Sequence, residues 1–283
     1  MHNPKAGSST RDLYTGTLRR LRVLGARVEV LETAQHGDSA KAVADAARSG
    51  RFDAILAAGG DGTVHHAVEG LIGSSTPLGI IPMGTANVFA RELRLPRSPG
   101  QLAKALLEGT AREIAVGQVN GRPFLFVVGV GFDAEAVRIF ERESTRKWGQ
   151  AGYAWPIARA LFSYRDKPVR VLSPSGAAEG QWILVTRTKH YAGEFVLAPR
   201  ASLEEPALHV LRMRGNGPLT RARQLSALAL GHLAHDPGVT VEITDRVRLE
   251  GDSTIPVEID GEALGELPLD IGIHPDRLMV IFP

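Results

Sequence analysis

Three short polar runs carry residue types that can handle a polyphosphate: Asn3-Pro4-Lys5-Ala6-Gly7, Ala57-Ala58-Gly59-Gly60-Asp61-Gly62-Thr63 and Gly84-Thr85-Ala86-Asn87. The second is the sharpest. It stands between a short apolar run, Asp53–Ala58, and a segment of helical pattern, Thr63–Ile72. Glycines at such a junction let backbone N–H groups approach an anion closely, and the start of the following helix favours negative charge. Asp61 adds a carboxylate able to reach a magnesium ion beside the phosphates. The plain alternative is a tight strand-to-helix turn with Asp61 as its cap. The other two runs favour the chemical reading. Gly84-Thr85-Ala86-Asn87 follows the apolar run Pro77–Pro82, and Asn3 would follow a strand if one preceded it. In an open parallel sheet the carboxyl ends of the strands share one edge, where ligands bind. A phosphate-binding cleft is therefore expected.

The elements that must hold these runs come in two patterns. Up to about residue 110, strands alternate with helices. Arg27–Glu32, Asp53–Ala58 and Pro77–Pro82 read as strands. Gly37–Ser49 (capped by Asp38 or Ser39), Thr63–Ile72, Thr85–Leu93 and Gln101–Glu108 read as helices. Such alternation predicts an α/β domain with a parallel sheet covered on both faces. After about residue 112, short strands separated by Gly, Pro and Asp predict a β-rich second domain. The predicted strands are Arg112–Val119, Pro123–Gly129, Val169–Ser173, Gln181–Thr188, Glu194–Ala198, Leu208–Arg212, Val239–Leu249, Val257–Asp260 and Leu278–Phe282. Helical stretches interrupt them near Glu135–Thr145, Gly152–Phe162 and Thr220–Ala234.

Composition removes several chemistries. The 283 residues are 43% hydrophobic and 23% charged, as in a soluble globular protein. There is no Cys, which excludes a disulfide framework, a zinc–thiolate site, an iron–sulfur cluster and a cysteine nucleophile. Lys+Arg of 33 against Asp+Glu of 31 gives +2, which argues against a dedicated nucleic-acid binder. Only six of the 33 basic residues are Lys, and the Arg excess suits bidentate phosphate contacts. No apolar run reaches the roughly 18–20 residues that span a bilayer, and the first residues lack a signal-peptide core. A cytoplasmic protein, touching a membrane only peripherally, is expected. His65 and His66 are adjacent, so on a helix they point roughly 100° apart and a shared metal is not expected. No Gly-x-Ser-x-Gly supports a serine hydrolase.

In order along the chain, NPKAG (3–7), ET with HGDSA (32–40), GGDGT (59–63), PMGTANVFAREL (82–93), GVGFDAEAV (129–137), YAGEFVLAP (191–199) and DGE (260–262) resemble the diacylglycerol/sphingosine kinase catalytic family in its bacterial lipid-kinase branch. GGDGT alone is shared with NAD kinases and phosphofructokinases; GTAN and the late DGE narrow the likeness. The resemblance implies an α/β nucleotide-binding domain over residues 1–112, joined by the last strand within 278–283, and a β-sandwich-like lipid-substrate domain over 113–277. It implies ATP as co-substrate, Mg2+, and a site in the cleft between the domains. Asn3, Lys5 and Gly7 would border the nucleotide phosphates. Thr33 and the run Gly60, Asp61, Gly62, Thr63, Val64, His65 and His66 would line the ATP site, with Thr85 close by. Glu262 would take the proton from the acceptor hydroxyl, as phosphoryl transfer needs a carboxylate near the nucleophile. On residues alone, Asp260-Gly261-Glu262 reads equally as a hairpin turn.

Some members of the family hold a structural magnesium in a turn of the second domain. Here the main-chain oxygens of Ser202 and Ala207 and the Glu205 carboxylate would supply it. The turn departs from the usual Asp-Asp-Gly pattern through Glu205 and Pro206, and a solvated acidic turn is the alternative. Further departures are Val88, where many members have Asp, His66, where Glu is common, and the two residues Met1-His2 that precede NPKAG in place of a full first strand. Aromatic and basic residues in Gly152–Arg170, and Arg212, Arg214, Arg221 and Arg223, are candidates for docking to a bilayer; the alternative is an amphipathic core helix with a solvated basic face. The expected function is an ATP-dependent kinase of diacylglycerol or a related lipid alcohol, met at the membrane surface, as a monomer or a homodimer. A soluble-substrate kinase such as NAD kinase and a catalytically silent lipid- or nucleotide-binding protein are the other readings.

Overall fold

In the first hundred residues, apolar side chains recur at helical spacing in some segments and run unbroken in others. The computed structural model, which describes residues 1, 11–31, 36–143, 152 and 154–283, follows that division. Helices α1 (Arg11–Val23), α2 (His36–Arg48), α3 (Asp61–Leu71), α4 (Val88–Glu92) and α5 (Pro99–Glu108) accompany strands β1 (Ile55–Gly59), β2 (Leu78–Pro82) and β3 (Thr110–Ile114). Strands β1 and β2 are parallel, with Ile55 opposite Leu78 and Gly59 opposite Pro82. Both are nearly wholly buried, as apolar strands covered on both faces must be. Leu18 and Leu21 of α1 meet Leu102, Ala103 and Leu106 of α5 over Ala58, Ile81 and Met83. Ser98 caps α5 by accepting from the Gln101 amide at 3.4 Å, and Pro99 opens the helix.

A second compact unit spans residues 116–274. It contains β4 (Gly117–Val119), β5 (Arg122–Phe124), β6 (Val127–Val130), α6 (Phe132–Arg142), α7 (Ala154–Ser163), β7 (Val169–Ser173), β8 (Gly176–Gly180), β9 (Trp182–Thr186), β10 (His190–Tyr191), β11 (Phe195–Val196), β12 (Leu208–Met213), α8 (Pro218–Ala229), β13 (Val239–Thr244), β14 (Arg246–Glu250), β15 (Val257–Ile259) and β16 (Leu269–Ile273). Two antiparallel sheets, ordered β13-β12-β9-β6-β15 and β5-β4-β16-β14-β7-β8, dominate it. Val128, Val130, Ile183, Val185 and Val210 of the first sheet share one core with Val119, Val171, Val247, Leu249 and Ile271 of the second. Two sheets closed on one core make a sandwich. The chain then returns: β17 (Leu278–Phe282) runs parallel to β2 and antiparallel to β3, so residues 275–283 complete the unit begun by residues 1–115.

The structure departs from the sequence expectations at several points. The sheet of the first unit, β1-β2-β17-β3, is mixed, because β3 enters antiparallel to the returning strand. Arg27–Leu31 of the expected strand Arg27–Glu32 takes no regular secondary structure, and Glu32 lies outside the described residues. Met1 occupies the edge beside β1: its amine donates to the Leu56 carbonyl at 3.0 Å, and the Ala58 amide donates to its carbonyl at 2.9 Å. Helix α1 was not expected. Ser39 lies within the first turn of α2 rather than before it. Thr85–Asn87 stays a turn, so α4 begins only at Val88. The run Arg112–Val119 breaks at Ala115-Val116, where the chain passes between units, and Val239–Leu249 breaks at Asp245. Strands β8 and β10 carry no clear alternation of their own and are held by their neighbours, whereas β16, which was also not expected, alternates as Leu-Asp-Ile-Gly-Ile.

Candidate functional site

The two central glycine runs meet. Gly59 ends β1, and Gly60 precedes α3 in extended conformation, with φ −87° and ψ −173°. Gly84 follows β2, the adjacent parallel strand, and its loop is tied back by the Met83 amide donating to the Gly59 carbonyl at 2.8 Å. Gly60 and Gly84 then lie backbone to backbone. A Cβ on Gly84 would sit 2.6 Å from the Gly60 Cα and 2.9 Å from Asn87 Oδ1, so both turns need glycine for this approach. Asn87, left-handed at φ 47°, braces its turn: the Gly84 amide donates to its Oδ1 at 2.8 Å, and its Nδ2 donates to the Gly84 carbonyl at 2.6 Å. No side chain caps α3. Its start, with the positive end of its dipole, therefore lies beside the paired glycines. Asp61 is the first residue of the helix and not its cap.

The remaining expected nucleotide residues divide. Asn3, Lys5, Gly7 and Thr33 lie outside the described residues. Gly62 and Thr85 are exposed, and Thr63 is buried against Gly59. Val64 is a core residue, as is Val88, so only their backbones can face a ligand. His65 and His66 turn to the same carboxylate: Glu69 lies 3.6 Å from His65 Nε2 and 3.3 Å from His66 Nδ1. Those two contacts hold the Glu69 carboxyl far below the usual range. Among the described residues no group of three or more His, Cys, Asp or Glu could hold a metal by itself. One carboxylate beside open amides does fit a magnesium ion that arrives already bound to phosphates.

In the second unit, Ile259-Asp260-Gly261-Glu262 is a tight turn. The Ile259 and Glu262 amides each donate to the other's carbonyl, at 2.9 and 3.0 Å, and both central residues are left-handed, with φ 51° and 86°. Asp260 is the anchor. Its carboxylate accepts from the amides of Leu125 (2.7 Å), Phe126 (2.7 Å) and Val127 (3.1 Å). Gly261 donates its amide to Glu258 Oε2 at 2.7 Å. Glu262 follows with an exposed side chain, presented by a turn whose other members are fixed. Sequence reading singled out Glu262 but not the two acids that hold it. It also passed over Asp133, buried beside Glu258 on the Gly129 face of the sheet. The signals were there: an acid within the apolar strand Val257–Ile259, and another just after Gly129-Val130-Gly131.

The turn at Ser202–Ala207 does not fit a metal ion. Arg187, 1% exposed, donates from Nη1 to the carbonyls of Glu205 (2.9 Å) and Ala207 (2.9 Å), and from Nη2 to that of Leu203 (3.1 Å). One of the three expected ligands, the Ala207 carbonyl, is thus engaged by a guanidinium whose own charge would repel a cation. Ser202, Glu205 and Ala207 lie in or beside a turn closed by arginine.

The expected bilayer-docking bases are largely committed elsewhere. Arg221 is buried in an ion pair with Asp166, donates to the Leu161 carbonyl at 2.7 Å, and stacks on Phe132 and Tyr164. Arg223 pairs with Asp236 at 2.8 Å, Arg159 with Glu143, and Lys167 with Asp252 at 3.0 Å. Tyr153 lies outside the described residues. Arg165 and Arg214 remain exposed, as do the apolar side chains of Trp155 and Phe162 on α7, Leu219 on α8 and Leu230 just after it, 55–86% exposed.

Residues 1–119 match the diacylglycerol kinase catalytic domain family, and residues 126–282 match the YegS C-terminal NAD kinase beta sandwich-like domain family. Diacylglycerol kinase of Bacillus subtilis (strain 168) is 30% identical over 275 residues, covering 95% of this chain and 90% of its own length. Diacylglycerol kinase of Mycobacterium tuberculosis (strain H37Rv) is 29% identical over 281 residues, covering 95% and 89%. A crystal structure of a diacylglycerol kinase from Bacillus anthracis superposes with a TM-score of 0.74 at 20% identity, over 99% of this chain and 94% of that one, a likeness of fold.

Proposed function

Because the chain belongs to the bacterial diacylglycerol kinase-like lipid kinase family, we propose that it transfers the γ-phosphate of ATP to the hydroxyl of diacylglycerol or a related lipid alcohol. The observation that carries this reading is the junction of the two glycine turns. Backbone amides, an uncapped helix start and the Asp61 carboxylate stand together beyond the ends of adjacent parallel strands, where a triphosphate suits them.

Phosphoryl transfer asks little covalent chemistry of the protein; it asks for placement and charge. The amides at Gly60–Gly62 hold the phosphate oxygens. Asp61 would hold the magnesium that travels with the nucleotide, and that ion would supply charge neutralisation. Glu262 accepts the proton of the lipid hydroxyl as it attacks, and Asp260 keeps the Glu262 backbone in place. The family likeness likewise gives Asn3, Lys5, Gly7, Thr33 and Thr85 to the nucleotide.

No helix among the described residues is long and apolar enough to cross a membrane. We assign peripheral bilayer contact, at the inner face of the cell membrane, to Trp155, Phe162, Leu219 and Leu230, whose exposed apolar surface suits an interface. The test is a phosphate-transfer screen with labelled ATP against an extracted bacterial lipid fraction, diacylglycerol, ceramide, sphingosine and NAD, with the product identified by mass. Labelled phosphatidate from diacylglycerol, or the phosphate ester of a related lipid alcohol, is expected. Labelling of NAD alone would replace the lipid reading with a soluble-substrate kinase.

A further inference from the structure

The second unit buries two acids side by side. Glu258 lies mid-strand in β15, opposite Gly129 of β6, and Asp133 lies in the first turn of α6 just after that strand. They are 1% and 6% exposed. Gly129 makes the room: a Cβ there would collide with Asp133 Oδ2 and lie 2.6 Å from Glu258 Oε1. Of the four carboxyl oxygens, two have donors. Tyr191 donates its hydroxyl to Asp133 Oδ1, and the Gly261 amide donates to Glu258 Oε2 at 2.7 Å. The other two, Asp133 Oδ2 and Glu258 Oε1, are buried beside the same point without a donor. The other titratable groups acting on the pair are Tyr191 and Asp260, and neither brings positive charge.

We propose that Asp133 and Glu258 share one proton, carried by Glu258 Oε1 and donated to Asp133 Oδ2, and that this neutral–anionic pair is the positioning device of the Asp260–Glu262 turn. The proton belongs on Glu258 because Asp133 has the better anion site, at the start of α6 and under the Tyr191 hydroxyl. Burial and the neighbouring Asp133 charge also push the Glu258 carboxyl well above its ordinary range. With the proton in place, Glu258 can stay buried and keep its other oxygen on the Gly261 amide. Loss of the proton leaves two adjacent buried anions, which drives the Glu258 side chain out and frees that amide. The catalytic consequence rests on the reading of Glu262 as proton acceptor; the shared proton does not.

The variants that separate these statements are Glu258→Gln, Glu258→Ala and Glu262→Gln. Gln keeps both contacts, since its amide N–H donates to Asp133 and its carbonyl accepts from Gly261; Ala keeps neither. At neutral pH the infrared spectrum of the protein should show a buried protonated carboxyl, absent in Glu258→Gln and retained in Glu262→Gln. Exchange of the Gly261 amide should stay within about twofold of wild type in Glu258→Gln and rise about tenfold or more in Glu258→Ala, as loss of one buried hydrogen bond predicts. It should accelerate at alkaline pH, after correction for hydroxide catalysis, in wild type and not in Glu258→Gln. Turnover should fall in kcat, with little change in KM for ATP, in Glu258→Ala and not in Glu258→Gln. An absent carboxyl band, or Glu258→Gln exchanging like Glu258→Ala, overturns the proposal. So does chelator-sensitive exchange at Gly261, which would mean a cation in place of the proton. The spectroscopic and exchange readouts need no substrate, so a protein that phosphorylates no lipid would sink the kinase reading and leave these results standing.

Discussion

The glycine junction of the first unit and the acidic turn of the second solve the same problem by opposite means. Gly60 and Gly84 place the backbone by having no side chains, so the start of α3 lies uncapped beside their close approach. Asp260, Glu258 and Asp133 place the backbone by burying charged or protonated groups that consume amides: three for Asp260, one for Glu258. The first arrangement suits a ligand that brings charge. The second suits a residue that must be held still while it moves a proton. The cost also differs. A glycine turn fails by steric intrusion, whereas a buried acid fails by loss of a partner or by titration.

The largest effect is expected at the anchor. Asp260→Ala removes the acceptor of three amides and should cost at least about 3 kcal/mol, given roughly 1–3 kcal/mol for each buried donor left unsatisfied. Urea denaturation reads it directly, and a loss below about 1 kcal/mol would show that the turn is not held as described. Next comes the glycine junction. Gly84→Ala should lose about 1–3 kcal/mol by overpacking and weaken nucleotide binding with it. Gly62→Ala meets nothing within 4 Å and should leave the melting temperature unchanged or slightly raised. Equal losses at the two glycines would dissolve the contrast.

The pH dependence sharpens it further. In the unfolded chain both acids of the pair ionise near pH ~4. In the folded protein burial raises both, so the folded state binds more protons than the unfolded one. Stability from this pair is therefore full below about pH 4 and falls as pH rises toward the folded value. Glu258→Gln should remove that decline across a series of urea titrations from about pH 4 to 8. A decline of unchanged slope in Glu258→Gln would assign it to other groups. The smallest expected effect is none. Because Arg187 closes the Ser202–Ala207 turn, the melting temperature without nucleotide should not move between chelator and excess magnesium. A drop in chelator that Glu205→Ala abolishes would restore the metal to that turn.

The two regions also differ in how far the sequence revealed them. Gly59–Thr63 and Gly84–Asn87 are contiguous, and their meaning is local: a strand ends, glycines follow, a helix starts. Local patterns of this kind also revealed β1, β2, α3 and α5. The acidic pair is assembled from residues 125 positions apart, on β15 and just after β6, and no short window contains both. Arg187, which closes Leu203–Ala207, was passed over, and Arg221, buried with Asp166, was taken as a docking candidate, for the same reason: an arginine in sequence looks solvated until its partner is known. The missed strands β8 and β10 take their extension from ladder neighbours rather than from their own alternation, while the alternation of β16, Leu269-Asp270-Ile271-Gly272-Ile273, was overlooked.

The proposed reaction moves phosphate from ATP to a lipid hydroxyl with Glu262 as proton acceptor. The most direct measurement is lipid-dependent turnover of labelled ATP by wild type and Glu262→Gln in mixed micelles of diacylglycerol, with ATP affinity measured alongside by calorimetry. Turnover should fall at least about a hundredfold, the lower range for a general base, while ATP affinity and melting temperature stay within error. Near-normal turnover by Glu262→Gln would contradict the assignment.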